Sequence, residues 1–462
     1  MMRNHGKKHA RNGERGVTMI IVVIAMLSML AMVALAIDVI TLYAARSEAQ
    51  RGADSAALAA AKMLVDMGVT ADPSNGALQT TAQTAATKIA TDLATQVAIS
   101  GRQVQSADVT VTFPNASAPA TFGVNPEVAV TVNRPNLPTF FSRIWSRAAL
   151  SVSATATAEG FNPSNSSSVG GTGLPVVSRC VKPFLLPNCD PSLTASGLAC
   201  PPQAKATFFD PATGQITRPG VYPAGVIGET FTVSSSCPSP GPGCAAPTPP
   251  AAGQYYPALM PVAASGNACP STCGSGTGFE GEIECCNPSP LTCGTTATPP
   301  ITYQLQLDTT VFPEGNGGPA QSGVECLIHQ SPGNGQDLLN GSTGMGLVPP
   351  GATLTYPLQI QVGNNHPLAG TPTLSTGDYV TTSDSLVTVP VYDATGGVIP
   401  NTPVNIIGFL QVFIDHAAPG GGANAGHFRV TIVNVAGCGS GATGTPVFTG
   451  SPSAVPVRLI HQ

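Results

Sequence analysis

"AIDVITLYAARSEAQRGADSAALAAA" (residues 36–61) follows a long apolar run, yet nothing in it signals a loop. Asp38 ends the run, and Arg46, Glu48, Arg51 and Asp54 follow. Leu42, Ala45, Ala49, Ala53, Ala56, Ala60, Met63 and Met67 recur at steps of three and four, which makes one apolar stripe on a helix. The charged residues and Gln50 lie off that stripe. Alanine is the best helix former, and only Gly52 weakens the run. The spacing predicts one helix from Val17 to about Met67, apolar all round at first and striped afterwards. A stripe of such small side chains permits close approach but buries little area alone. It needs a partner.

Upstream, residues 17–37 carry no charge, and only Thr18 and Ser28 have polar side chains. A helix of that length is roughly 31 Å long, about one hydrocarbon core. The preceding 16 residues hold Arg3, Lys7, Lys8, Arg11 and Arg15 against Glu14. Such a basic flank stays in the cytoplasm, which predicts a single-pass protein of the inner membrane with everything after Asp38 outside. A cleaved signal peptide is the competing reading. The apolar run exceeds the roughly 7–15 residues of a signal core, although Ala34 and Ala36 would suit a peptidase. The chain has 19 basic and 24 acidic residues, five and one of them in the first 16, so the remainder is acidic at 14 against 23. It has no basic stripe of the kind nucleic acids require.

The polar positions of the opening stretch are ordered. Asp38-Val39, Leu42-Tyr43, Ala45-Arg46, Gln50 and Ala53-Asp54-Ser55-Ala56-Ala57-Leu58-Ala59 follow an apolar entry, "ERGVTMIIVVIAML" (14–27). In this the segment resembles the N-terminal part of the TadG-like and TadE-like proteins of the tight-adherence (Flp pilus) assembly system, over about residues 14 to 62. Ile40 stands where that family often has glycine, and Arg51-Gly52 where it often has Asn-Ala. The resemblance marks Asp38, Tyr43, Arg46, Gln50, Ala53, Asp54, Ala56 and Ala57 as an interaction helix, and implies lipid and other pilus-assembly or envelope proteins as partners. Each polar position has a plainer reading too. Asp38 marks the outer water interface, Tyr43 is an interfacial aromatic, and Arg46 and Gln50 are ordinary i,i+4 neighbours. "RGVTMII" also resembles the start of type IV pilins, cut after a glycine such as Gly16, but Ile21 occupies the position where those carry glutamate.

Residues 76–99 read as a second helix with Ala82, Ala86, Ile89, Leu93 and Val97 inside. Residues 108–113, 127–133 and 150–158 alternate as half-buried strands, and 137–145 suggest a short helix. Together these predict a small pilin-like α+β unit over 38–160, built on the anchor helix. A Gly/Ser/Asn linker follows at 161–173. Beyond it, over 174–462, short strand candidates alternate with long Pro/Gly loops: 227–233, 301–308, 353–362, 386–392, 404–415 and 428–435. With no long helix among them, they predict a β-sandwich-like domain, with 404–415 as its central strand. The fold class is therefore α+β: a cytoplasmic tail (1–16), a membrane-spanning helix (17–37), the small α+β unit, and a disulfide-rich β domain.

All 12 cysteines lie in that last region: Cys180, Cys189, Cys200, Cys237, Cys244, Cys269, Cys273, Cys285, Cys286, Cys293, Cys326 and Cys438. An even count outside the cytoplasm reads first as disulfides. The cluster Cys269 to Cys293 has a second reading as thiolates around zinc, and Cys326 with His329 as a nucleophile pair. No metalloprotease, nucleophile-elbow or Walker motif occurs, and no Gly-x-Gly-x-x-Gly leads into a predicted helix. The metal site of von Willebrand-type domains has no counterpart beyond Asp384-Ser385-Leu386. His366, His416, His427 and His461 are scattered, and only 9% of residues are charged. We expect no enzyme activity, no cofactor, no metal and no small-molecule substrate. The expected function is membrane-anchored pilus assembly by protein contact. The rival classes are an envelope adhesion protein and a secreted hydrolase.

Overall fold

In the computed structural model one helix, α1, runs unbroken from Glu14 to Asp66. It carries the apolar run and the striped segment without a bend at Asp38. None of its most apolar window is buried, and among the described residues it is the one helix long and apolar enough to cross a membrane. The structure describes residues 14–70, 75–117, 121–122, 125–137, 150–162, 174–194, 200, 206–235, 250–260, 269, 273, 278–294, 304–307, 318–339, 358–370, 374–380, 382–395, 403–417, 426–442, 446–448, 453 and 455–460. The short helix expected over 137–145 lies outside them beyond Leu137, as do most of the expected linker, Cys237, Cys244 and His461.

The second helix, α2, spans Gly76–Thr95. It is shorter than predicted, since Ala98–Ile99 turns back to pair with Arg102–Gln103. Its fully buried seam is Ala82, Ala86, Ala90 and Ala94, whereas the expected inner residues Ile89, Leu93 and Val97 are only half-buried. Three strands follow, β1 (Val109–Thr112), β2 (Glu127–Leu137) and β3 (Leu150–Gly160). In β2 and the first half of β3 buried and open positions alternate, as the period-two pattern requires, and residues 156–160 of β3 are buried throughout.

The later strands are β4 (Phe184–Pro187), β5 (Thr230–Ser235), β6 (Gln254–Leu259), β7 (Gln304–Leu307), β8 (Leu386–Tyr392), β9 (Pro403–Ala417), β10 (Phe428–Gly437) and β11 (Val457–Ile460). β11 joins the first three strands in a sheet ordered β11-β3-β2-β1. The others close on themselves: β5 pairs with β10, β10 with β9, β9 with β8, β8 with β4, β4 with β6, and β6 with β5 again. β7 bridges β6 and β9. The two-layered packing expected of this region is thus made by one sheet that curls round and closes, which removes its open edges. β9 pairs with three strands and is buried along nearly its whole length. Two short helices, α3 (Phe279–Glu284) and α4 (Pro319–Leu327), were not expected. Gly323 of α4 lies so close to Ile283 that an added Cβ would sit 3.0 Å from its side chain.

Contacts divide the chain into two compact units. One comprises residues 1–56, 90–111 and 130–156; the other comprises 57–89, 112–129 and 157–462. The second holds a core of large side chains. Phe184 lies 4.7 Å from Phe428 and 5.0 Å from Tyr255, centroid to centroid, with Phe279 edge-on at 6.1 Å.

Candidate functional site

Within the first unit α1 presents two faces. Ala45, Ala49, Gly52, Ala53 and Ala56 are buried, while Tyr43, Arg46, Ser47, Arg51 and Ser55 are exposed. At Gly52, a weak point for helix propensity, the backbone comes close to a neighbour: a Cβ there would lie 3.4 Å from Val97. The polar residues between the faces tie the helix down. The backbone N–H of Ser100 donates to Glu48 Oε2 (2.8 Å), and Gln50 Nε2 donates to Asp54 Oδ1 (2.7 Å) and to the Thr155 carbonyl (3.4 Å). Gln50 therefore engages Asp54, one turn on. Asp38 departs from its plainer reading as a water-facing boundary residue, because it is 2% exposed. Asp38 is in register with the stripe, four residues before Leu42, but its charge favoured the boundary reading over a buried one.

From Ala57 onward α1 belongs to the second unit and is buried on two rows, Ala57, Ala61 and Leu64 joining Ala60 and Met67. Its end is capped twice. Gly68 N–H donates to the Val65 carbonyl and Val69 N–H to the Leu64 carbonyl, with Gly68 at φ +79°, the left-handed geometry that glycine adopts at no steric cost. Asn434 Nδ2 on β10 also donates to the Val65 carbonyl (2.9 Å), and Asn162 Nδ2 bridges the carbonyls of Thr70 and Val435. Lys62 pairs with Asp66 at 2.8 Å, and burial pushes the Asp66 carboxyl up against the pull of that lysine. A groove of about 330 Å³, lined by Leu58, Lys62, Val65, Val455 and Val457, runs beside this stretch.

The strand-rich region bears on two of the catalytic alternatives, the zinc cluster and the Cys326–His329 pair. Ten cysteines pair as Cys180–Cys286, Cys189–Cys200, Cys269–Cys285, Cys273–Cys326 and Cys293–Cys438. The five cysteines of the zinc reading are therefore committed to bonds, and Cys326 has no thiol to act as a nucleophile. His329 instead meets Asp384 (Nε2 to Oδ2, 2.9 Å). Ser383 donates its hydroxyl to Asp337, which also lies 3.8 Å from His366 Nε2. Ser383 thus meets a carboxylate and not the imidazole of a Ser-His-Asp arrangement. Ser385 is buried, and its N–H donates to Ser383 Oγ (3.2 Å). Among the described residues no group of three His, Cys, Asp or Glu is placed to hold a metal.

The buried charges are braces that residue counts did not reveal. Lys182 Nζ donates to the carbonyls of Ile283 (2.6 Å) and Cys285 (2.9 Å) at the end of α3, and burial pushes it down to about 8. Arg218 lies between Glu229 (3.1 Å) and Asp190 (3.4 Å). Two carboxylates share one guanidinium, and burial together with Asp190 pushes Glu229 up to about 8. Asp415 pairs with Arg429 (3.0 Å), yet burial still lifts it to about 7. Burial pushes His416 and His427 down. An open cleft of about 550 Å³ is lined by Asn188, Thr207, Asp210, Gln215, Thr217 and Asp393, among others. Backbone N–H groups of Thr213 and Ala212 hold the Asp210 carboxyl below its usual range.

Residues 16–63 match the Tad family model, that of TadE/G-like Flp pilus-assembly proteins. The match begins at Gly16 and ends three residues before the end of α1, so it speaks for that helix alone. No curated protein and no solved structure matches the chain.

Proposed function

We propose that this chain is a single-pass, membrane-anchored component of a Flp-type pilus assembly system. Its basic tail (1–16) stays in the cytoplasm, residues 17–37 span the inner membrane, and the pilin-like stretch (38–160) and the β-rich region (174–462) are exported. It works by anchoring and by protein contact, not by catalysis. One observation carries this reading: the family match coincides with the one exposed apolar helix among the described residues and its alanine-lined continuation. The motif residues divide by role. Asp38, Ala53, Ala56 and Ala57 pack inside the chain, Gln50 and Asp54 brace the helix, and Tyr43 and Arg46 face outward for lipid and for other assembly proteins.

The test has two arms. A reporter fused after Gln462 is expected to be active only outside the cytoplasm. A photo-crosslinking side chain at Arg46 is expected to capture another pilus-assembly protein in cells that make pili. Normal pilus assembly after deletion of the gene would sink the proposal. A second reading, an envelope adhesion protein unconnected with pilus assembly, draws on the polar cleft at Asp210 and Asp393. It requires that deletion abolish adhesion while pili still form.

A further inference from the structure

Where the lipid contact of α1 ends is a separate question from whether it exists. By charge the span ends at Ile37. The exposed apolar surface does not. Ile37, Val39, Ile40 and Tyr43 are all exposed, Ile40 at 66% and Tyr43 at 72%. Asp38 and Ala45, seven residues apart and so on one side of the helix, are buried. Ile37, Ile40, Tyr43 and Ala44 fall at helical spacing on the opposite side, in line with the span. The first exposed charged side chain after the span is Arg46. From Val17 to Ala44 an unbroken helix is about 42 Å long, against about 30 Å for the hydrocarbon core and about 40–45 Å for a bilayer with its headgroups.

We propose that the outer headgroup layer covers this face. The lipid contact of α1 continues on one side for about two turns beyond the hydrocarbon boundary, to Tyr43 and Ala44, and the first compact unit is seated in the headgroup layer. The occupant is phospholipid because the face is continuous, turn by turn, with the span. Its composition also fits: two isoleucines, no charge, and at the outer end an aromatic ring with a hydroxyl that suits the interface. Asp38 lies at a depth where a carboxylate facing lipid is costly, and the chain itself covers it. This inference rests on the anchor reading and specifies its outer limit.

The test uses full-length protein in phospholipid vesicles, with Trp145, the only tryptophan in the chain, replaced by phenylalanine. Single probes are then introduced as Ser28→Trp, Ile40→Trp, Tyr43→Trp and Arg51→Trp, all at exposed positions. Lipids brominated near the headgroup are expected to quench Ile40→Trp and Tyr43→Trp more than lipids brominated near the bilayer centre. Ser28→Trp is expected to show the reverse order, and Arg51→Trp little loss with either. If Ile40→Trp and Tyr43→Trp behave like Arg51→Trp while Ser28→Trp is quenched, the span stands and this inference falls. An unquenched Ser28→Trp would remove the span and the inference together. Photo-crosslinking from a lipid with its reactive group beside the headgroup gives the same reading on the unaltered chain. Adducts at Ile40 and Tyr43 are expected, and adducts confined to residues 17–37 would overturn it.

Discussion

Along the part of α1 in the first unit the buried side chains are, Asp38 apart, alanines: Ala45, Ala49, Ala53 and Ala56, with Gly52 among them. In the closed set of strands they are Phe184, Tyr255, Phe409, Phe413 and Phe428, with disulfides around them. The two regions hold together by different means. A methyl group buries little area, so an alanine seam is favourable only when backbones come close, and it tolerates no added bulk. A core of aromatic rings draws on area and tolerates no loss. One region is vulnerable to enlargement, the other to truncation, and only the second has covalent insurance.

The largest effect expected from that contrast is in the aromatic core. Phe184→Ala removes a ring that meets Tyr255, Phe279 and Phe428, and should destabilise the strand-rich region by about 3–5 kcal/mol, read as a fall in denaturation midpoint. A loss under about 1 kcal/mol would show that the region is not held by its rings. Next is the bond Cys293–Cys438, which closes a separation of 145 residues. Replacing both cysteines by serine should cost roughly 2–4 kcal/mol there. Alkylation of the unreduced, unfolded wild-type chain should find few free thiols, and ten or more modified cysteines would overturn the pairing.

In the alanine seam the sign of the size effect reverses. Ala53→Leu and Ala56→Leu should each cost roughly 1–3 kcal/mol by overpacking, while Ser47→Leu and Ser55→Leu, at exposed positions, should cost little. Leucine hardly changes helix propensity, so a loss at Ala53 alone reports packing. Equal behaviour of all four would break the comparison.

Acidity gives a gentler separation. Glu229 is raised from 4.5 to about 8 and Asp415 from 3.8 to about 7, chiefly by burial. A carboxyl raised in the folded state binds its proton more tightly there. Its contribution is fully present below the unfolded value and is lost as pH rises through the folded one. Stability of the strand-rich region should therefore fall between about pH 5 and pH 8, by at most about 1.4 kcal/mol per pH unit for each proton. Glu229→Gln should flatten the thermal-midpoint profile. An unchanged slope would show that Glu229 is charged throughout. The smallest effect is a gain. Gly52→Ala adds a Cβ at ordinary contact distance from Val97 and should stabilise the helix by up to about 1 kcal/mol, visible in thermal unfolding.

The long helix was legible because two independent patterns agreed, an uncharged run and then a three-four stripe, and α1 overshoots the predicted limits by only a few residues at its start. Strands rich in β-branched residues were legible as well: residues 386–392 match β8, and 404–415 is the buried β9. What was missed was short or proline-bearing. "FLLP" (184–187) and "QYYPAL" (254–259) lack alternation, and α4 begins on a proline that opens a helix only in the right context. Of residues 353–362 only 358–362 are described, and among these Ile360–Gln361 is the strand. Of the candidate helix, the buried alanines could be named from spacing. The Glu48–Ser100 bond and the charge braces depend on segments far away in the chain, which no local pattern encodes.

The hydrogen bond from Asn434 to Val65 spans 369 residues, and the bond from Cys293 waits for Cys438. β9 and β10 complete the ring of strands, and both come late in synthesis. A ribosome has made more than nine-tenths of the chain before the last turn of α1 meets its partner. Folding from the first residue forward is therefore blocked for the strand-rich region. Its completion waits for those last strands, and its cysteines stay open to mispairing until they arrive.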